Sequence, residues 1–71
     1  MAQETYKGGV VLSRPEHSSY RDWRPYAKVM WQDENGFHSH EIVCSQIGFD
    51  TEREAIHFGF AIARSWMDKE L

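Results

Sequence analysis

The side chains best equipped for chemistry in this sequence are four histidines and one cysteine, and their spacing decides what they can do. His38-Ser39-His40 puts two imidazoles on one side of an extended chain, because strand side chains alternate with a period of two. Cys44 falls on that same side, and His57 lies further along. A zinc site needs three or four such donors converging on one point. His57 falls on a helix face that reads as solvent-exposed, and the other three are spread along one strand. No metal site is read from this set; the plainer reading is two edge histidines over the end of a core. Cys44 is expected inward, where a thiol behaves as a small apolar group rather than a nucleophile. No phosphate-cradling glycine loop, GxSxG or HExxH occurs, and no paired carboxylates flank a recognisable cleft. The sequence therefore points to no catalytic residue, no cofactor and no enzyme.

A second group of residues offers a surface instead. Arg24, Tyr26, Lys28 and Met30 alternate onto one face of an extended segment, with Arg21 and Trp23 just before them. Basic and aromatic groups interleaved on a strand suit phosphate contact combined with base stacking. Glu41, expected across from Met30, and Asp22 dilute the positive charge. The two readings of this face are a nucleic-acid contact and a solvated or protein-binding surface.

The element that must organise these residues is Thr51 to Leu71, which reads as a C-terminal helix. Thr51-Glu52-Arg53-Glu54 has the form of a capping box, with Thr51 as N-cap and Glu54 reaching back. Asp50, Glu52 and Glu54 place negative charge at the positive end of the helix dipole. Ala55, Gly59, Ile62 and Trp66 fall on one stripe at helical spacing. Gly59 costs about 1 kcal/mol against alanine inside a helix, so a packing reason is expected, namely close approach to a sheet. Ile56, Phe60 and Met67 form a second apolar strip beside the first. Either loops and the N-terminal arm cover that strip, or it is the contact of a homodimer.

Before the helix, three strands are expected. Tyr6 to Leu12 reads as the first, with Tyr6, Gly8, Val10 and Leu12 on one face and a bend at Gly8-Gly9. Residues 1–5 are expected to be frayed or disordered. Ser13 to Asp22 reads as a polar loop. Trp23 to Gln32 is the second strand, with Ala27, Val29 and Trp31 turned toward the helix. Asn35-Gly36 predicts a type I′ turn, after which Phe37 to Ser45 is the third strand, with Ile42 and Cys44 inward. A two-residue Asn35-Gly36 loop sets Val29 opposite Ile42; a shift of two residues would change partners but keep every face. The fold class is thus α+β, a three-stranded antiparallel sheet packed on one C-terminal helix in the order β-β-β-α.

The 71 residues make one small domain, 1–71, burying only about 60% of its unfolded surface. Dimerisation would supplement so small a core, and an aromatic content of 14% adds bulk to it. One cysteine cannot close an internal disulfide, which fits a reducing compartment. The polar start Met1-Ala2-Gln3-Glu4-Thr5 does not read as a signal peptide, and no stretch approaches the roughly 20 apolar residues that span a bilayer. A cytoplasmic location without membrane attachment is expected. The net charge of −3 argues against a general attraction to nucleic acid or anionic lipid, though not against a local basic face.

Two resemblances accompany these readings. The junction Gly48-Phe49-Asp50-Thr51-Glu52-Arg53-Glu54-Ala55 after a three-stranded sheet resembles the plant AP2-type DNA-binding domain, which reads DNA with Arg and Trp on its sheet. The strongly basic strands of that pattern are absent here. Tyr6-Lys7-Gly8, Pro15, Gly36-x-His38-x-His40, Glu54-Ala55, the Phe58 region, Ala63-Arg64 and Met67-Asp68 resemble the small bacterial HlyU-type family. That resemblance implies a small bacterial cytoplasmic domain with a regulatory role and no catalytic motif. Together these readings give a non-enzymatic interaction module that self-associates through the helix contact Ile56, Phe60 and Met67. The alternative is a nucleic-acid-binding domain.

Overall fold

Two glycine-marked turns and one cap set the architecture. The computed structural model describes residues 2–19, 22–44 and 46–71. Lys7 and Gly8 both have positive φ, 50° and 78°, and Tyr6 pairs with Gly9 across them. That is the geometry of a two-residue type I′ hairpin. It joins β1 (Ala2–Tyr6) to β2 (Gly9–Ser13). The expectation of a single strand from Tyr6 to Leu12 is therefore corrected, as is that of a frayed start, since Ala2–Tyr6 is a paired strand. Reversing the chain at Lys7-Gly8 also reverses the faces. Val11 and Ser13 are buried under the helix, whereas Val10 and Leu12 lie on the opposite face.

After β2 comes a small hairpin, β3 (Glu16–Ser19) and β4 (Asp22–Arg24), where the sequence reads as a loop. Pro25 ends it and is itself buried. Then β5 (Tyr26–Asp33) and β6 (Gly36–Val43) form the long central hairpin. Its turn is not type I′, because Asn35 is not among the residues with positive φ. Asp at the first position and Gly at the fourth are instead the marks of a type I turn. The Asp33 carboxylate accepts from the Asn35 N–H at 2.8 Å, and Gly36 takes a φ of 116°. Centring the turn on Glu34-Asn35 shifts every partner by two. Ala27 lies opposite Ile42, Val29 opposite His40, Trp31 opposite His38, and Lys28 rather than Met30 opposite Glu41. The inward set Ala27, Val29 and Trp31 is unchanged by that shift.

The main sheet thus has four antiparallel strands in the order β1-β2-β5-β6, with the β3-β4 hairpin as a second sheet. Against the expected three-stranded layout, the α+β class stands and the strand count is corrected. The chain leaves β6 and returns to β4. Trp23 and Phe49 exchange both backbone hydrogen bonds, at 2.8 and 2.9 Å, and the Phe49 ring meets Phe58 with centroids 5.3 Å apart.

The helix α1 (Glu52–Glu70) starts as its sequence requires. The Thr51 hydroxyl accepts from the Glu54 N–H at 3.2 Å and donates to the Glu54 carboxylate at 2.9 Å. Ala55, Gly59, Ala63 and Met67 are its buried residues. Ile62 and Trp66, expected at the centre of the stripe, flank it instead. The reason is the added strand: with β1 beyond β2, the helix packs across the central pair β2 and β5 and turns Met67 into the core with Val11, Ala27 and Val29. At Gly59 the helix approaches the sheet closely. A Cβ there would lie 2.4 Å from Ser13 Oγ, and that hydroxyl, fully buried, donates to the Ile56 carbonyl at 2.9 Å. On the β1 flank, Glu4 pairs with Arg64, and Asp68 receives both the Tyr6 hydroxyl at 2.8 Å and Lys7 at 3.0 Å.

Two expectations follow from this packing. Gly59→Ala should destabilise the protein by about 1 kcal/mol despite its better helix propensity, because Ser13 must swing away and abandon a buried hydrogen bond. In a Ser13→Ala background the same change should stabilise by up to about 1 kcal/mol, since the obstruction is gone. Denaturant titration of the four proteins reads this reversal, and a Gly59→Ala effect of one sign in both backgrounds would refute it. For Asp68, the hydrogen bonds from Lys7 and then Tyr6 hold the carboxyl below its ordinary 3.8. A carboxyl depressed in the folded state contributes stability above the unfolded value, and that contribution is lost as pH falls through 3.8 and below. The drop in melting temperature over that acid range should be shallower for Asp68→Asn than for the wild type.

Candidate interaction face

The face of the sheet turned away from α1 is built by the same alternation that fills the core. On β2 it presents Val10 and Leu12; on β5, Tyr26, Lys28, Met30 and Gln32; on β6, Phe37, Ser39, Glu41 and Val43. Cross-strand neighbours form rows: Val10, Met30 and Ser39, then Leu12, Lys28 and Glu41. Phe37 is 82% exposed and Val43 63%, the two most exposed large apolar side chains among the described residues. Val10, Met30, Gln32 and Phe37 line a shallow groove beside Gly8. A neighbouring depression is lined by Leu12, Arg14, Tyr26 and Lys28. There the Arg14 guanidinium lies 5.8 Å from the centre of the Tyr26 ring.

The six residues that the sequence groups into one surface are divided by the fold. Tyr26, Lys28 and Met30 share the open face. Trp23 belongs to the β3-β4 hairpin and stacks on His17, with centroids 4.3 Å apart and planes 11° from parallel. Arg24, on the same hairpin, pairs with Asp22 at 3.1 Å. Arg21 lies outside the described residues, as does Ser45 at the expected end of the third strand. The expected continuous run of basic and aromatic groups is broken because Pro25 separates β4 from β5. The positive charge that remains is also partly matched. The Tyr26 hydroxyl donates to the Glu41 carboxylate, which raises the tyrosine's pKa, and Glu41 lies directly across from Lys28.

The expected dimer contact is likewise redistributed. Met67 is fully buried inside the chain and Phe60 packs against the core. Ile56 is half-buried, and its carbonyl receives the Ser13 hydroxyl. Of the strip that would be surplus over three strands, Ile56 and Met67 meet Ser13 and Gly9 of β2.

The histidines occupy the helix side of β6. His40 stacks on Trp66, with centroids 4.3 Å apart and planes 8° from parallel. His38 stacks on Trp31 at 5.4 Å and meets the Asp33 carboxylate at 2.9 Å. Trp31 and Trp66 touch at 5.5 Å, so the four rings form one aromatic wall at the edge of the core. His38, hydrogen-bonded to Asp33, and then the Asn35 N–H hold the Asp33 carboxyl below its ordinary range. His57 is exposed on the helix, and Cys44 is a half-buried free thiol. Among the described residues, no group of three or more His, Cys, Asp or Glu side chains is placed to hold a metal ion.

Sequence reasoning missed Val10, Leu12, Phe37 and Val43. For the β6 pair the signal was present, since Phe37 and Val43 share the parity of the outward Glu41. For the β2 pair the signal lay in Lys7-Gly8, whose turn decides which valine faces in.

By architecture the chain is a small α+β protein whose main sheet is covered by a helix on one face and, among the described residues, by no element on the other. No protein family, curated protein or solved structure matches it. No helix among the described residues is long and apolar enough to cross a membrane. If the bare face serves contact rather than folding, Phe37→Ser and Val43→Ser should each change stability by less than about 0.5 kcal/mol. Met67→Ala should cost about 2–5 kcal/mol. Urea denaturation midpoints measure both, and a large loss at Phe37 would assign that ring to the fold.

Proposed function

We propose that this chain is a non-enzymatic interaction module whose contact surface is the open face of its sheet. The supporting observation is the apolar cluster Val10, Met30 and Phe37 lining the groove on the face opposite α1, in a domain whose helix strip is already used for its own core. Exposed apolar groups clustered in this way are what interaction sites are made of. The bacterial cytoplasmic setting and the regulatory role implied by the HlyU-type resemblance belong to this reading and rest on that resemblance. A nucleic-acid contact is the second reading, favoured by the Arg14, Tyr26 and Lys28 depression and opposed by Glu41 beside it.

One experiment separates the two. A photo-crosslinking amino acid at Met30, in living cells, should give discrete protein adducts that disappear when Val10→Glu is added. Adducts that persist with Val10→Glu, or match those from a probe at exposed Arg53, would sink the protein-contact reading. Purified protein titrated with a fluorescent single-stranded oligonucleotide supplies the other arm. Phosphate neutralisation requires affinity that falls with salt and is lost in Lys28→Glu. Absence of binding at low salt would remove the nucleic-acid reading.

A further inference from the structure

Among the described residues, the sheet order β1-β2-β5-β6 leaves the far side of β6 without a neighbouring strand. The direction of its backbone groups follows from one hydrogen bond. The Cys44 N–H donates to the Pro25 carbonyl at 3.4 Å, and alternation along an antiparallel ladder then turns the even-numbered residues of β6 toward β5. The N–H and C=O groups of Phe37, Ser39, Glu41 and Val43 therefore point outward. All four residues are exposed. Natural sheets usually blunt such an edge with lysine, proline or a bulge. β6 has none of these: its pairing with β5 runs without a shift from Tyr26↔Val43 to Asp33↔Gly36, and Glu41 is its one carboxylate.

We propose that β6 pairs with β6 of a second copy of this chain, antiparallel about a two-fold axis at His40, joining two four-stranded sheets into one of eight. The sequence of the edge is self-complementary about that residue. Centred on His40, Phe37 stands opposite Val43 of the second copy, and Ser39 stands opposite its Glu41. The two most exposed large apolar side chains among the described residues then cover each other, an aromatic against a β-branched residue. All four outward residues exchange both backbone bonds, about eight interchain hydrogen bonds in total. The neighbouring registers fit worse. Centring on Ser39 leaves Val43 unpaired and sets Phe37 against Glu41. Centring on Glu41 sets two like charges face to face, which is destabilising. The interface is isologous and closes after two copies. Both helices fall on the same side, so the two open faces become one continuous surface.

This pairing goes beyond the open-face reading and does not need it, since it uses the β6 edge and shares only Phe37 with the groove. Sedimentation equilibrium of the wild type at high micromolar concentration should give twice the 8.4 kDa chain mass. Ser39→Pro removes an outward N–H that the β5-β6 ladder does not use, and Val43→Lys charges an already exposed position. Each should give a folded monomer with an unchanged circular dichroism spectrum, and the second serves if the first impairs folding. His40→Cys in a Cys44→Ser background should form a disulfide dimer under mild oxidation, because residues facing each other at the axis are within bridging distance. Ser39→Cys should not. A monomeric wild type, a dimer that survives Val43→Lys, or a dimer that His40→Cys fails to lock would each overturn the proposal. Val10→Glu should leave the dimer intact, so loss of the photo-crosslinked adducts and loss of the dimer are read separately.

Discussion

The hydrogen bond from the Ser13 hydroxyl to the Ile56 carbonyl, beside the bare backbone of Gly59, sets how close α1 comes to its sheet. A helix carbonyl at that position already has its own helical partner, so the serine adds a second acceptance at the lone pair facing the sheet. The arrangement tolerates a fully buried hydroxyl only because the hydroxyl is satisfied. It also fixes what surrounds it. With backbone and serine in contact, the neighbours along the helix must be small, and Ala55 and Ala63 are. The larger side chains are then pushed outward to the flanks, where Trp66 meets His40 of β6 and Phe60 packs at the margin of the core.

Those flanks are held by different chemistry. Along β1 the contacts are polar: Glu4 with Arg64, and Tyr6 and Lys7 with Asp68. They are largely solvated, so each is worth little by itself and serves to align rather than to stabilise. Along β6 the contacts are aromatic, a run of His38, Trp31, Trp66 and His40 stacked on or against one another. Imidazoles here are structural walls, held between a ring and the solvent. That role explains two histidines on alternate positions of one strand without recourse to a ligand.

What could be read from the sequence was decided by the strength of local signals. Thr51 as N-cap, the helix it begins, and the inward set Ala27, Val29 and Trp31 all follow from local chemistry or from parity, and parity survives a two-residue slip. The register itself did not. Asp33-Glu34-Asn35-Gly36 supports two turn types, and only the Asp33 side chain accepting from Asn35 selects between them. The first hairpin was hidden because lysine, not asparagine, occupies the leading positive-φ position at Lys7-Gly8. That omission carried over to the site. With one strand too few, Ile56, Phe60 and Met67 looked surplus to the sheet, to be covered either by the N-terminal arm and loops or by a second copy, and Val10 and Leu12 were not assigned to the open face. The β3-β4 hairpin carries no apolar alternation to betray it; its order comes from His17 on Trp23 and from Phe49, a residue distant in sequence.

The pairing of the first strand with the last element has a consequence for how the molecule is made. Tyr6 and Asp68 are separated by 62 positions, and Glu4 and Arg64 by 60. A ribosome extrudes the strands first, so Val11, Ala27 and Val29 emerge as a naked hydrophobic plane with nothing to lie over it. Only when α1 clears the exit tunnel can the layer close, and it then closes along its whole length at once. Until α1 emerges, the nascent sheet is the species that a chaperone would meet.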